Sequence, residues 1–186
     1  FASYGQTDFK RLVAYSSVNH MGFVLLGIAA AAKAMGTLDA TIALNGAVLQ
    51  MFNHGLSAAG MFFMVGVIYE RTHTRNLEEL GGLFPLIPVY GGILIFTSMA
   101  SLGLPGLNGF ISEFLVVRGS FPILPVFTSI AMIGLLFTGA YILKGIKKVL
   151  HGPLNEKWVG HLTDIKPREI IVMAPLMTLI LVIGVW

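Results

Sequence analysis

The sequence predicts an all-α protein, a polytopic bundle of about five bilayer-spanning helices whose third helix is broken inside the membrane. Three observations predict it. Charged residues make up 11% of the chain and hydrophobic ones 55%, against roughly 25% charged in a soluble domain, so the charge cannot cover a water-exposed surface. Apolar runs of spanning length, about 20 residues each, fill the chain when short polar loops join them. The cations in those loops fall almost wholly on alternate loops, as helices crossing back and forth require.

The first span covers about residues 12–32, entered just after Asp8, Lys10 and Arg11. A short loop with Lys33, Gly36 and Asp39 leads into the second, about 41–69. The polar segment Glu70-Arg71-Thr72-His73-Thr74-Arg75 follows, with Glu78 and Glu79. The third span, about 88–117, is interrupted by Gly103-Leu104-Pro105-Gly106-Leu107-Asn108-Gly109. The fourth, about 124–143, ends at Lys144, Lys147 and Lys148, and the fifth, about 169–186, follows a polar connection through His151 and His161 to Arg168. Residues 1–186 read as a single transmembrane region. The chain opens on Phe1 and stops at Trp186 inside an apolar run, so the expectation is a fragment of a longer polytopic protein.

With these spans, Lys10, Arg11, Arg71, Arg75, Lys144, Lys147, Lys148, Lys157, Lys166 and Arg168 share one side, and Lys33 and Arg118 the other. Ten of the 12 cations on one side place that side in the cytoplasm. The net charge of +3 is thereby accounted for by topology, and no nucleic-acid partner is expected. Without cysteine the chain has no disulfide, no iron–sulfur ligation and no thiolate zinc site. No His-x-x-x-His spacing occurs, so no metal is expected.

The Gly/Pro cluster removes a backbone donor at Pro105 and permits non-helical dihedrals at Gly103, Gly106 and Gly109. Backbone groups freed at that depth must be buried in protein or face water, which makes a broken helix a pointer to an ion path; the alternative is a kink used only for packing. These glycines make no dinucleotide loop, because no strand precedes them. Glu113 stands four residues past the break. A carboxylate near mid-bilayer costs roughly 2.5–3.5 kcal/mol, so it needs a partner, a proton or water, unless it lies shallower and reaches the interface with Arg118. His20 in the first span and His54 in the second each sit in a polar stripe: Ser16 and Ser17 one turn before His20, Gln50 and Ser57 bracketing His54. With an unperturbed pKa of about 6.5, histidine both takes and gives protons, so His20, His54 and Glu113 are the candidate relay. The competing account is that these polar groups only join helices. His73, His151 and His161 fall in polar connections and are expected to be solvated.

Four blocks in order carry a family resemblance: Asp8-Phe9-Lys10-Arg11-Leu12-Val13-Ala14-Tyr15-Ser16-Ser17-Val18-Asn19-His20-Met21-Gly22, then His54-Gly55-Leu56-Ser57-Ala58-Ala59-Gly60, then Tyr69-Glu70-Arg71-Thr72-His73-Thr74-Arg75, then Leu102-Gly103-Leu104-Pro105-Gly106 with Gly109-Phe110 and Glu113-Phe114. They cover roughly the first two-thirds of the chain and resemble the antiporter-like membrane subunits of respiratory complex I (NADH:quinone oxidoreductase), best the chain M, or subunit 4, type. The L and N types are expected to carry lysine where Glu113 stands. Asn19 departs mildly, standing where most members have serine.

The resemblance implies the family's tenth to fourteenth helices, with a broken twelfth carrying Glu113 as the terminal proton-exchange residue and His20 and His54 as central-axis histidines. It implies a proton-translocating role, with other membrane-arm subunits and the lipid bilayer as partners and protons as cargo. It implies no cofactor in this chain: NADH, FMN, the Fe–S clusters and quinone belong to other subunits. The membrane implied is a bacterial inner (plasma) membrane. The family's earlier Glu–Lys pair and central lysine would lie on helices before Phe1. The alternatives are a subunit of a multi-subunit cation/proton antiporter or membrane-bound hydrogenase, and a structural membrane subunit without proton transfer.

Overall fold

The computed structural model describes residues 1–185, and among them it is all-helical; Trp186, the last residue of the fifth expected span, lies outside the described residues. The helices are α1 (Phe9–Lys33), α2 (Leu38–Thr72), α3 (Pro88–Leu102), α4 (Asn108–Ser120), α5 (Pro125–Leu150) and α6 (Pro167–Val185), with a 3-10 turn at Glu156–Trp158. Four of them, α1, α2, α5 and α6, are long and apolar enough to cross a membrane alone. The expected break falls between α3 and α4.

The two half-helices cross in one direction, as their partners along α2 show. Tyr90 Oη donates to the Met64 carbonyl (3.1 Å), Ser98 Oγ donates to Met61 Sδ (3.4 Å), and Asn108 Nδ2 donates to the Asn53 carbonyl (3.0 Å). Gly46 then packs on Leu115 and Val116, and Gly119 on Asp39 and Ala43. As the chain advances from residue 90 to 119, its partners retreat from 64 to 39, so α3 and α4 together form one interrupted span antiparallel to α2. α1 also runs antiparallel to α2, tied at one end by Phe9 N–H to the Arg75 carbonyl (2.8 Å) and at the other by Gly27 against Ala43 and Ala47. α5 runs antiparallel to α1, from Lys33 bonding the Ile123 carbonyl to Tyr141 bonding Ser16. α6 starts beside Arg71 and ends with Gly184 against Leu107. This arrangement makes five crossings and gathers the ten cations at one end. With Met35→Cys or Asn76→Cys in an otherwise cysteine-free full-length chain, an impermeant external reagent on intact cells is expected to label only Met35→Cys. Labelling of Asn76→Cys would overturn the orientation.

Local chemistry explains the helix ends. Asp8 Oδ1 accepts from Arg11 N–H (2.9 Å) and Thr37 Oγ1 from Ala40 N–H (3.2 Å), each satisfying an orphan donor of a first turn. α3 has no cap of its own; Asp164, from the distant loop before α6, accepts from Val89 and Tyr90 N–H, both at 2.9 Å. Arg71 braces that loop, donating to the Thr163 and Asp164 carbonyls (2.8 and 3.1 Å) and forming a fork with the Glu169 carboxylate.

Two features depart from the expected outline. The helix that carries the fourth expected span does not stop at Leu143: α5 continues to Leu150, with Lys144 and Lys148 only partly buried while Gly145, Ile146, Val149 and Leu150 stay buried. A cation marks where hydrocarbon ends, not where a helix must. The polar segment after α2 also carries buried apolar residues, Leu77, Leu80 and Leu83. Leu83 and Phe84 N–H donate to the Val149 and Leu150 carbonyls (3.3 and 3.1 Å), satisfying the orphan end of α5. Lys148 closes this seam on Glu78 (2.8 Å) and holds the Glu78 carboxyl below the usual carboxylate range. That contribution is present at neutral pH and is lost as acid protonates Glu78. The main apolar core lies at this end, around Met64, Ile68, Ile87, Tyr90, Leu94 and Leu150.

Candidate functional site

Glu113 lies on the second turn of α4 and is 5% exposed. Its Oε1 shares a hydrogen bond with His20 Nδ1 (2.8 Å) and accepts from Gln50 Nε2 (3.3 Å). Three helices therefore converge on one carboxyl oxygen. The other oxygen lies beside Gly103, the residue that ends α3 in the left-handed region with φ 80°. A Cβ at Gly103 would be strained by that φ and would press on Glu113 Oε2, so glycine meets two requirements there. Gly109 likewise lets the start of α4 sit against the Ala100 carbonyl at the end of α3.

His20 is 2% exposed, and its Nε2 has no hydrogen-bond partner among the described residues. The His54 ring lies beside it, with ring centroids 5.0 Å apart. His54 is half-buried, and its Nε2 bonds Ser17 Oγ (2.8 Å). A small, mostly apolar cavity lies beside His54, lined by Leu12, Val13, Met61 and Ile142 with Ser16, Ser17 and Ser101. Imidazole carries two distinct nitrogens, so a ring can take a proton at one while releasing one at the other. His20 has the geometry for that: Nδ1 on the Glu113 carboxyl and Nε2 buried without a partner among the described residues.

All three candidate relay residues therefore come together. One alternative weighed from the sequence does not hold. Glu113 does not reach the interface with Arg118, which pairs with Asp39 (3.6 Å). The polar stripe of α2 divides: Gln50 and Asn53 turn toward α4, where Gln50 donates to Glu113 and Asn53 to Ser112, while His54 turns toward Ser17 of α1. Of the expected break residues, Gly103 and Gly109 border the site. Pro105 is exposed, and the Gly106 carbonyl faces Gly184 of α6. His73, His151 and His161 are exposed, as expected.

Two polar groups were missed. Asn53 and Asn108 exchange amide bonds with each other's carbonyls (2.7 and 3.0 Å). Asn53 also donates to Ser112 Oγ (3.1 Å), and Ser112 donates to Gln50 Oε1. This clamp holds α2 against the start of α4, where the backbone is broken. Ser16, Tyr141, Thr138 and Asn19 form a second chain between α1 and α5: Ser16 Oγ to Tyr141 Oη is 2.9 Å and Asn19 Nδ2 to Thr138 Oγ1 is 2.8 Å. Asn53 and Asn108 were visible as amides inside apolar runs, which is the signal that could have found them.

The family described as "NADH:quinone oxidoreductase/Mrp antiporter, TM" matches residues 1–138, which contain all four motif blocks and the whole site. The chain belongs to this family. It is 42% identical over 99% of its length to NADH-quinone oxidoreductase subunit M of Pseudomonas aeruginosa, covering 34% of that protein. It is 39% identical over 99% of its length to an NAD(P)H-quinone oxidoreductase chain 4 of Thermosynechococcus vestitus, covering 35% of it. A chain of respiratory complex I from Thermus thermophilus, solved with bound NADH, superposes with a TM-score of 0.82 at 27% identity, over 98% of this chain and 37% of that one. The chain thus spans about a third of the length of the curated relatives it matches. Relatives named subunit M and chain 4 agree with the type that Glu113 singled out.

Proposed function

We propose that this chain is part of a proton-translocating membrane-arm subunit of NADH:quinone oxidoreductase, and that Glu113, His20 and His54 pass protons within it. The observation that carries the reading is the buried His20–Glu113 contact, 2.8 Å between Nδ1 and Oε1, at a helix break. A carboxyl and an imidazole at hydrogen-bond distance can share one proton, and either can hold it. Desolvation makes a net charge on the pair costly, so proton uptake from one side favours release to the other. The break places the irregular backbone at Gly103 directly beside this pair. Quinone reduction, NADH oxidation, FMN and the Fe–S clusters fall to other subunits, and the partners are the neighbouring membrane-arm subunits. Bacterial relatives favour a bacterial inner (plasma) membrane as the location.

The test is proton translocation per electron in membranes holding the assembled complex with the full-length subunit. His20→Ala is expected to lower it more than His54→Ala, because His20 touches Glu113 directly. His54→Ala is expected to have a partial effect, since a water can bridge the gap left by one side chain. Assembly is expected to survive both. Unchanged stoichiometry in the two variants and in their combination would overturn the relay.

A further inference from the structure

A cleft of about 500 Å³ separates α2 from α6 at the cation-rich end of the bundle. Its inner wall is apolar, formed by Phe62, Phe63, Gly66 and Val172. Its mouth carries Lys166 and Arg168, with Glu70 and Glu169. Glu169 is already neutralised in its fork with Arg71. Lys166 and Arg168 are exposed and make no ion pair among the described residues, which leaves two cations against the single carboxylate of Glu70. From Phe62 to Glu70 the helix rises about 12 Å, so the cleft runs from the polar end of α2 well into the apolar part of the span.

We propose that this cleft binds an anionic phospholipid, its phosphate between Lys166 and Arg168 and the start of an acyl chain against Phe62, Phe63 and Val172. The inference rests on the reading of α2 and α6 as membrane spans. Basic pockets between helices at the cytoplasmic face suit anionic headgroups, since each cation there attracts the negative leaflet. A protein helix would cover the apolar wall as well, but it would leave Lys166 and Arg168 unmatched unless it brought acids to the same level. A lipid matches both halves of the cleft with one molecule. Gly66 contributes the space: a Cβ built there meets nothing within 4 Å. A larger side chain at that position can enter the cleft without disturbing the bundle.

The full-length chain, purified in mild detergent, is incubated with dioleoylphosphatidylglycerol or dioleoylphosphatidylcholine, and retained lipid is measured by native mass spectrometry. Phosphatidylglycerol is expected to be retained in preference to phosphatidylcholine. Lys166→Gln with Arg168→Gln is expected to cut phosphatidylglycerol retention about 30-fold, as two lost headgroup contacts at about 1 kcal/mol each imply, and to leave phosphatidylcholine unchanged. Gly66→Leu is expected to reduce retention without altering charge, and inorganic phosphate is expected not to compete, which separates a lipid from a free anion. Lys147→Gln with Lys157→Gln removes the same charge elsewhere at this end and is expected to have no effect. Equal loss in that control pair would mean general surface attraction, and unchanged retention in the first pair would mean the cleft is covered by something else; either result overturns the proposal. No turnover is measured, so this outcome is independent of the relay.

Discussion

Glu113→Gln is expected to stop coupled proton transfer while the complex still assembles. Glutamine has the shape of the carboxyl and keeps an oxygen that accepts from His20 Nδ1 and Gln50 Nε2, so the three-helix junction retains its bonds. The loss is titration: an amide cannot hold a transferred proton at neutral pH. Removing a positioned proton-transfer group costs on the order of 100-fold or more in rate, and here it interrupts a path rather than weakening one contact. Glu113→Asp is expected to keep partial function, because it stays titratable but falls short of His20 by about one methylene. The measurement is protons translocated per electron, with the electron-transfer rate read in parallel and assembly verified. Normal stoichiometry and rate in Glu113→Gln would make the carboxyl a structural acceptor only.

The acid itself was legible because it interrupts an apolar run, and expense in lipid is visible in one dimension. Its partner was not. His20 lies 93 residues away, and nothing in a single sequence fixes the rotation of one helix against another. The same gap left the partner of Gln50 open: spacing puts Gln50 and His54 within about 40° on α2, yet that small difference separates a contact with Glu113 of α4 from one with Ser17 of α1. Arg118 could be set aside on spacing alone, since five residues along a helix turn about 140° away from Glu113. The Asn53–Asn108 clamp needed the same rotational knowledge as His20.

Span count and the broken third helix were legible for a different reason. Hydrocarbon thickness and backbone hydrogen bonding act on local sequence, so apolar length and a Gly/Pro cluster carry them directly. Helix ends outside the membrane obey neither rule. α5 passes its lysines because water solvates the charges and the Leu83 and Phe84 N–H groups donate to its terminal carbonyls. Asp164 caps α3 across 74 and 75 residues, a contact that no local pattern announces. The clefts that remain open between helices are likewise properties of the assembled bundle, as the one at Gly66 illustrates.

The largest loss of assembly is expected from valine at Gly119 or Gly46, the residues that let α2 and α4 touch. A Cβ at Gly119 would meet the Ala43 backbone nitrogen and the Asp39 carbonyl, and one at Gly46 would meet the Val116 nitrogen and the Leu115 carbonyl carbon. These are backbone atoms, so no rotamer change relieves them. Gly27 of α1 lies against the Ala43 carbonyl as well, so α2 is hemmed in by a second helix at this level. Small residues at such crossings are what allow helices to pack closely in lipid. Overpacking costs about 1–3 kcal/mol even where side chains can adjust, and a backbone obstacle is expected to exceed that. Gly92→Ala is the control: its Cβ meets nothing within 4 Å, and alanine is favoured over glycine in a helix by about 1 kcal/mol. The measurement is the amount of full-length subunit in the assembled complex, resolved on native gels after mild solubilisation. Gly119→Val and Gly46→Val are expected to leave little, and Gly92→Ala to match the parent. Gly46 lies one turn from Gln50, so any Gly46→Val complex that does assemble is expected to translocate protons poorly as well, through displacement of the Gln50–Glu113 bond. Full assembly of both valine variants would show that α2 and α4 are not held at the observed separation.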